Sequence, residues 1–269
     1  MTSHLRLSVS LAAALLAAAC SSDSPTSPPS SQQVNVAQLF SEFSAPGVAS
    51  AVAVLPSTIP APTILTGLTG SCPYDTASRS FVCATSTSSG ITYAVTYQLL
   101  DAAGNPLGAS ADKSTTAAMH ATTRVTGTLT LPPSATGGTS GPVTLSQQGD
   151  MTLSGLLGTT HTLNGTSKLT LTGAVALGSG TTAVSASTTE TVKDLAIPAS
   201  SSSGLPYPRS GTITVDASST LGTAPPIPAH AVMTFDGTST ATIVLTVGGV
   251  TQRCTVNLAT PTASACVAA

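Results

Sequence analysis

Charge is scarce in this chain: Lys and Arg number 8 and Asp and Glu 10 among 269 residues, 7% in all, against roughly 25% in an average soluble domain. Aromatic residues are 3% and tryptophan is absent. With a formal net charge of -2 and no stretch that gathers Lys and Arg, the composition excludes a nucleic-acid binder that works by neutralising phosphates. A disordered acidic or basic tail is excluded as well, because such tails are poor in apolar residues and here 41% is hydrophobic. The usual catalytic signatures are missing too: no G-x-S-x-G, H-E-x-x-H, G-x-x-x-x-G-K, EF-hand loop or C-x-x-C.

What is present begins with an export signal. Arg6 precedes an uncharged apolar run over 7–19 that is too short to span a bilayer, followed by small residues and a cysteine. Leu16-Ala17-Ala18-Ala19-Cys20 resembles the lipobox of bacterial lipoproteins, with Ala17 where that family usually has Leu. The resemblance implies cleavage before Cys20 and acylation of that cysteine; a plain secretory signal cut at Ala19 is the alternative. The Ser/Pro-rich stretch 21–33 has nothing to bury and suits a tether between a membrane anchor and a folded domain. Ser21, a non-Asp residue after the acylated cysteine, resembles the pattern sorted to the outer membrane in enterobacteria.

Four further cysteines allow three pairings. Proximity in sequence favours Cys72 with Cys83 and Cys254 with Cys266, each closing a loop worth on the order of 3 kcal/mol. Zinc ligation fits less well, since neither pair has a zinc-knuckle spacing and export favours disulfides.

The folded part reads as β-structure after one helix. Asn35 and Gln38 form a capping pair ahead of Val36, Leu39, Phe40 and Phe43, which recur at helical spacing. From about Thr63 onward the period is two. In 91–99 the odd positions are apolar, and the same alternation recurs through Val125, Leu129 and Leu131, through Leu163, Leu169 and Leu171, and through Val250, Cys254, Val256 and Leu258. That last register puts Cys254 on a buried face. Near 190–197 the alternation slips phase, which predicts a bulge or bend. Turn signals such as 103–106, 157–158 and 248–249 separate the runs, and no helix-length pattern intervenes. The expected fold is therefore all-β: an antiparallel meander of about eight to ten strands, forming a curved sheet, a half-barrel or barrel, or a sandwich, with one short N-terminal helix. The expected organisation is a signal peptide over 1–19, the acylated cysteine and tether over 20–33, and one all-β domain over 34–269.

Three blocks, Asp101 to Asn105, Leu153 to Leu156 with Asn164-Gly165-Thr166, and Tyr207 to Ile213, resemble segments of exported, β-rich bacterial envelope proteins. That resemblance implies no activity, cofactor or metal.

Residues suited to catalysis are few, with His120, His161 and His230, two Glu (Glu42, Glu190) and eight Asp beyond the signal. Asp101 reads as a turn cap, His161 as a solvent-face residue, and His230 and Asp236 lie too far apart along one strand to pair. Asn164 opens a glycosylation-like triplet that falls in a Thr-rich strand. The expectation is a lipid-anchored protein of the bacterial cell envelope, non-enzymatic and without cofactor, held to the outer membrane by its acyl chain. Its Thr-rich outer faces, such as 126–130 and 170–172, suit a structural or surface role with a glycan as partner. The alternative is a carrier that binds a lipid or other hydrophobic ligand on an apolar concave β-face.

Overall fold

The computed structural model describes residues 72–88, 90–112, 114–130, 142–177, 180–199, 207–258, 262–263 and 266–269. The signal, Cys20, the tether and the helix expected over 35–43 lie outside the described residues. Within them the protein is all-β, with no helix. Nine long strands run β4 (Ile91–Leu100), β5 (Ala118–Thr130), β6 (Pro142–Ser154), β7 (Thr160–Leu177), β8 (Gly180–Pro198), β9 (Ser210–Leu221), β10 (Ile227–Phe235), β11 (Thr240–Val247) and β12 (Val250–Asn257). Five short ones flank them: β1 (Tyr74–Asp75), β2 (Ser80–Val82), β3 (Ser86–Ser88), β13 (Thr262–Ala263) and β14 (Val267–Ala268).

All belong to one antiparallel sheet in which each long strand pairs with its neighbours in sequence. This corrects the expected architecture in two respects. A second sheet is absent among the described residues, so the fold is not a sandwich, and no strand at the β12 end pairs with the β4 end, so hydrogen bonds do not close a barrel. The strand total of fourteen also exceeds eight to ten, because pieces of two or three residues are too short to display an alternation.

Alternation gives this sheet one apolar face. The inward positions of β4 to β12 form two large clusters, one around Leu145, Leu171 and Val184 and the other around Leu195, Ile213, Ile243 and Val256, with a third around Phe81, Tyr97 and Leu99 at the β4 edge. Leu195 and Ile243 are each 0% exposed. No second layer lies on this face among the described residues; strands twist by nature, and open sheets of more than about ten strands tend to curl.

Both edges are clipped. Cys72–Cys83 spans the β1–β2 hairpin beside β4, and Cys254–Cys266 ties the chain end, with β14, back onto β12. The pairings are those expected from the spacing, and Cys254 sits on the buried face as the alternation required. Short, cross-linked edge strands leave little free backbone for another sheet to add to. Replacing both members of either pair by Ser is expected to cost about 3 kcal/mol of stability, read as a lowered thermal midpoint in calorimetry, and to increase aggregation on reduction.

The phase slip expected near 190–197 is present. The β8–β9 register shifts between Lys193 and Ala196, and the β7–β8 register shifts between Leu163 and Gly165. Asp194 takes a positive φ of 52° there, and its backbone N–H donates to Asn164 Oδ1 at 2.7 Å. The Asn164 amide thus serves as a cap for the bulge.

Candidate functional site

The two faces of the sheet have different chemistry, and each candidate residue is placed by its parity. His120 and His230 lie outward. His120 Nε2 meets Asp150 Oδ1 at 2.8 Å between β5 and β6, and His230 Nδ1 meets Asp216 Oδ1 at 2.7 Å across β9 and β10. The partner of His230 is therefore not Asp236 but a residue directly opposite on the next strand, a pairing that depends on strand register and not on sequence spacing. No serine hydroxyl hydrogen-bonds either imidazole among the described residues. His161 is corrected as well: it shares parity with Leu163, stands opposite Ile197 and is half-buried, with Nδ1 at 3.1 Å from the Gly155 carbonyl.

Asp101 caps its turn as expected, accepting from the backbone N–H groups of Ala103 and Asn105 at 2.9 and 2.8 Å. The Asn105 N–H holds Asp101 below the ordinary carboxylate range, and the hydroxyls of Ser78, Ser114 and Thr238, with nearby backbone N–H groups, do the same for Asp75, Asp112 and Asp236. Their carboxylates are engaged in local turns. No group of three or more metal-ligating side chains comes together among the described residues.

The inner face carries one anomaly. Along β8 the inward positions read Val184, Ala186, Thr188, Glu190, Val192, and Glu190 is the only Asp, Glu, Lys or Arg on the inward register of the nine long strands. It stands opposite Ser167 on β7 and Val215 on β9. The register continues this row through Gly149 and Thr123 to Val95 on one side, and through Ala231 and Leu245 to Gln252 on the other. One row away, Gln147 donates from Nε2 to Ser167 Oγ at 3.1 Å. Directly paired residues are about 5 Å apart, so Thr123, Gln147, Ser167, Thr188 and Glu190 make a contiguous polar patch in an otherwise apolar interior.

Exposure varies along these rows. Two rows from Glu190 toward one end, Ile91, Leu145, Leu171, Ala186 and Ser219 are buried; toward the other end, Leu99, Met119, Leu153, Leu163 and Leu195 are buried. In the row of Glu190, Val95, Thr123, Ser167, Glu190, Val215 and Gln252 point inward yet keep accessible surface, while Gly149, Ala231 and Leu245 are buried. Inward-facing side chains that a water molecule can touch line an opening or void, and a polar one can be hydrated.

Glu190 is held there without compensation. Protein atoms around its carboxylate push its pKa up because burial disfavours the charged form, and among the described residues no hydrogen bond or cation accompanies it. Two more inward groups, Tyr97 Oη and Ser219 Oγ, are buried with no hydrogen-bond partner among the described residues. Buried polar groups normally have partners, so the interior presents hydrogen-bonding capacity that its own side chains leave unused.

In the sequence Glu190 stands out only as one of two glutamates and as the start of the phase slip. The signal was nevertheless in the alternation, since position 190 falls on the parity of Val184 and Val192. Comparison of the chain with protein-family models, with curated proteins and with solved structures finds no match.

Proposed function

We propose that the protein is a non-enzymatic carrier, exported and lipid-anchored through Cys20 at the outer membrane of the bacterial envelope, that takes a hydrophobic ligand inside its curled sheet. The observation that carries this reading is the inward row around Glu190, partly accessible and partly polar, with buried and mostly apolar residues two rows away on either side. Ligand sites combine apolar walls with a few placed polar groups in this manner. The two disulfides support the exported location, since such bonds persist in oxidising compartments. Tethering by 21–33 would leave the sheet free to meet a ligand leaving a membrane.

A surface role has its own support in the outer face, where Thr92, Thr126, Ser146, Thr170, Ser187 and Ser218 form one continuous hydroxyl row across six strands. Recognition of an extended ordered surface calls for a flat array, and a sheet that curls presents a convex one. The carrier reading is therefore preferred.

Native mass spectrometry of the full chain purified from a bacterial envelope, before and after organic extraction, tests it. A mass excess beyond the covalent acyl groups that disappears on extraction is the expected result. A chain that never carries such an excess, and takes up no added lipid, removes the carrier reading and returns the surface role to first place.

A further inference from the structure

The chemistry of the Glu190 patch restricts the ligand. This inference rests on the carrier reading and names the class of molecule carried. Among the titratable inward groups, Tyr93 and Tyr97 on β4 are pushed up by burial and stay neutral, and His161 lies at the far end of β7, beyond Leu163. From every strand packed beside Glu190 the inward neighbours are uncharged: Gly165, Ser167 and Leu169 on β7, Ile213, Val215 and Ala217 on β9, and Thr188 and Val192 on β8 itself. Among the described residues, the part of the inner face around Glu190 thus holds one carboxylate and no cationic side chain. Its immediate polar neighbours, the Ser167 and Thr188 hydroxyls and the free Oε1 side of Gln147, are all able to accept hydrogen bonds.

We propose that the interior selects an amphiphile bearing a positively charged amine, whose ammonium pairs with the Glu190 carboxylate among Ser167, Thr188 and Gln147 while its apolar tail lies along a flanking cluster. An ammonium offers three donors and no acceptor, which matches a carboxylate set beside hydroxyl and amide oxygens. A fatty acid or phosphate head group would instead bring a second negative charge to a site with no cation to offset it. A charge-assisted hydrogen bond away from bulk water is among the stronger polar contacts, and a neutral alcohol of equal tail length forgoes it. When the ammonium enters a protonated site, Glu190 releases its proton to solvent and the ligand keeps its own, so binding is accompanied by uptake of one proton by the buffer.

The test uses the acylated full chain in lipid nanodiscs, titrated calorimetrically with octylamine, octanol and octanoate, with empty nanodiscs subtracted. The expected result at pH 8 is octylamine binding roughly tenfold to a hundredfold more tightly than octanol, with octanoate weakest. The preference should vanish in Glu190→Gln and, for the wild-type protein, at a pH low enough to keep Glu190 protonated, which guards against a variant that fails to fold. Equal binding of all three probes, or tighter octanoate, overturns the amine assignment while leaving a carrier. Binding of none of them overturns the carrier reading and this inference together.

Discussion

Replacing Glu190 by Gln is expected to raise the thermal midpoint of the ligand-free protein at pH 7 by on the order of 5 °C. The reason is the same feature that makes the residue a candidate site. A carboxylate confined on an apolar face without a partner destabilises the fold by roughly 1–3 kcal/mol, and a domain of this size shifts by about 2–4 °C per kcal/mol. Gln keeps the shape, loses the charge and can share hydrogen bonds with Ser167 and Gln147, which already bond to each other. A group kept at such a cost in a binding site is characteristic of function opposing stability. Calorimetry of the two proteins decides the matter, and a midpoint that falls in the variant would show that Glu190 is structurally satisfied and not a vacant anchor.

The pH dependence gives the same prediction a sign. The folded pKa of Glu190 is raised above its ordinary value of 4.5, so between that value and the folded one the native state binds more protons than the unfolded state. Its contribution is fully favourable below 4.5 and is lost as pH rises through the folded pKa. The turn carboxylates Asp75, Asp101, Asp112 and Asp236 act oppositely: lowered from 3.8, they contribute above that value and the contribution is lost as pH falls through their folded pKa values. Wild-type stability should therefore decline on the alkaline side of 4.5, and Glu190→Gln should flatten that limb alone. The acid limb belongs to the four aspartates and stays.

Much of this architecture was legible because period two is a strong signal when one face is buried. The alternation in 91–99 and 250–258 assigned inward residues of which Ile91, Leu99, Cys254 and Val256 are buried, while Val250, beside the β11–β12 turn, is 64% exposed, and the slip after Glu190 marked a real register shift. The disulfide pairing was legible from spacing. Whether the sheet closes was not, since closure depends on the stagger accumulated over nine strands and no single strand encodes it. Partners across strands were hidden for the same reason. His230 and Asp216 are 14 residues apart in sequence and 2.7 Å apart in space, a proximity that only the β9–β10 register creates. The site itself was partly legible: Glu190 falls on an apolar parity, but its isolation becomes visible only when the inward residues of β7 and β9 are laid beside it.

Gly165→Val should be the most damaging substitution near the site, costing roughly 2–6 kcal/mol and leaving much of the protein insoluble. Gly165 stands on the inward register opposite Met151 and Val192, at the point where β7 and β8 change register. Its φ of +152° is one that residues with a Cβ rarely adopt, a strain worth about 1–3 kcal/mol. A Cβ there would also overlap the Asp150 carbonyl oxygen and come within 2.7 Å of Met151 Cα and Sδ. Those backbone atoms belong to β6 and cannot swing aside as a side-chain tip could, which adds an overpacking cost of about 1–3 kcal/mol. If β6 moved away, Gly149 would be drawn from Thr123 and Ser167 from Gln147, so the polar patch would open together with the bulge. Urea unfolding should show the midpoint falling in Gly165→Ala and further in Gly165→Val, whereas the same pair of changes at Gly104, a turn glycine with nothing within 4 Å of its Cβ position, should cost only the backbone strain of its φ of +82°. Equal losses at the two positions would mean that close approach of β6 to Gly165 does not hold the site in place, and that the bulge alone sets the position of Glu190.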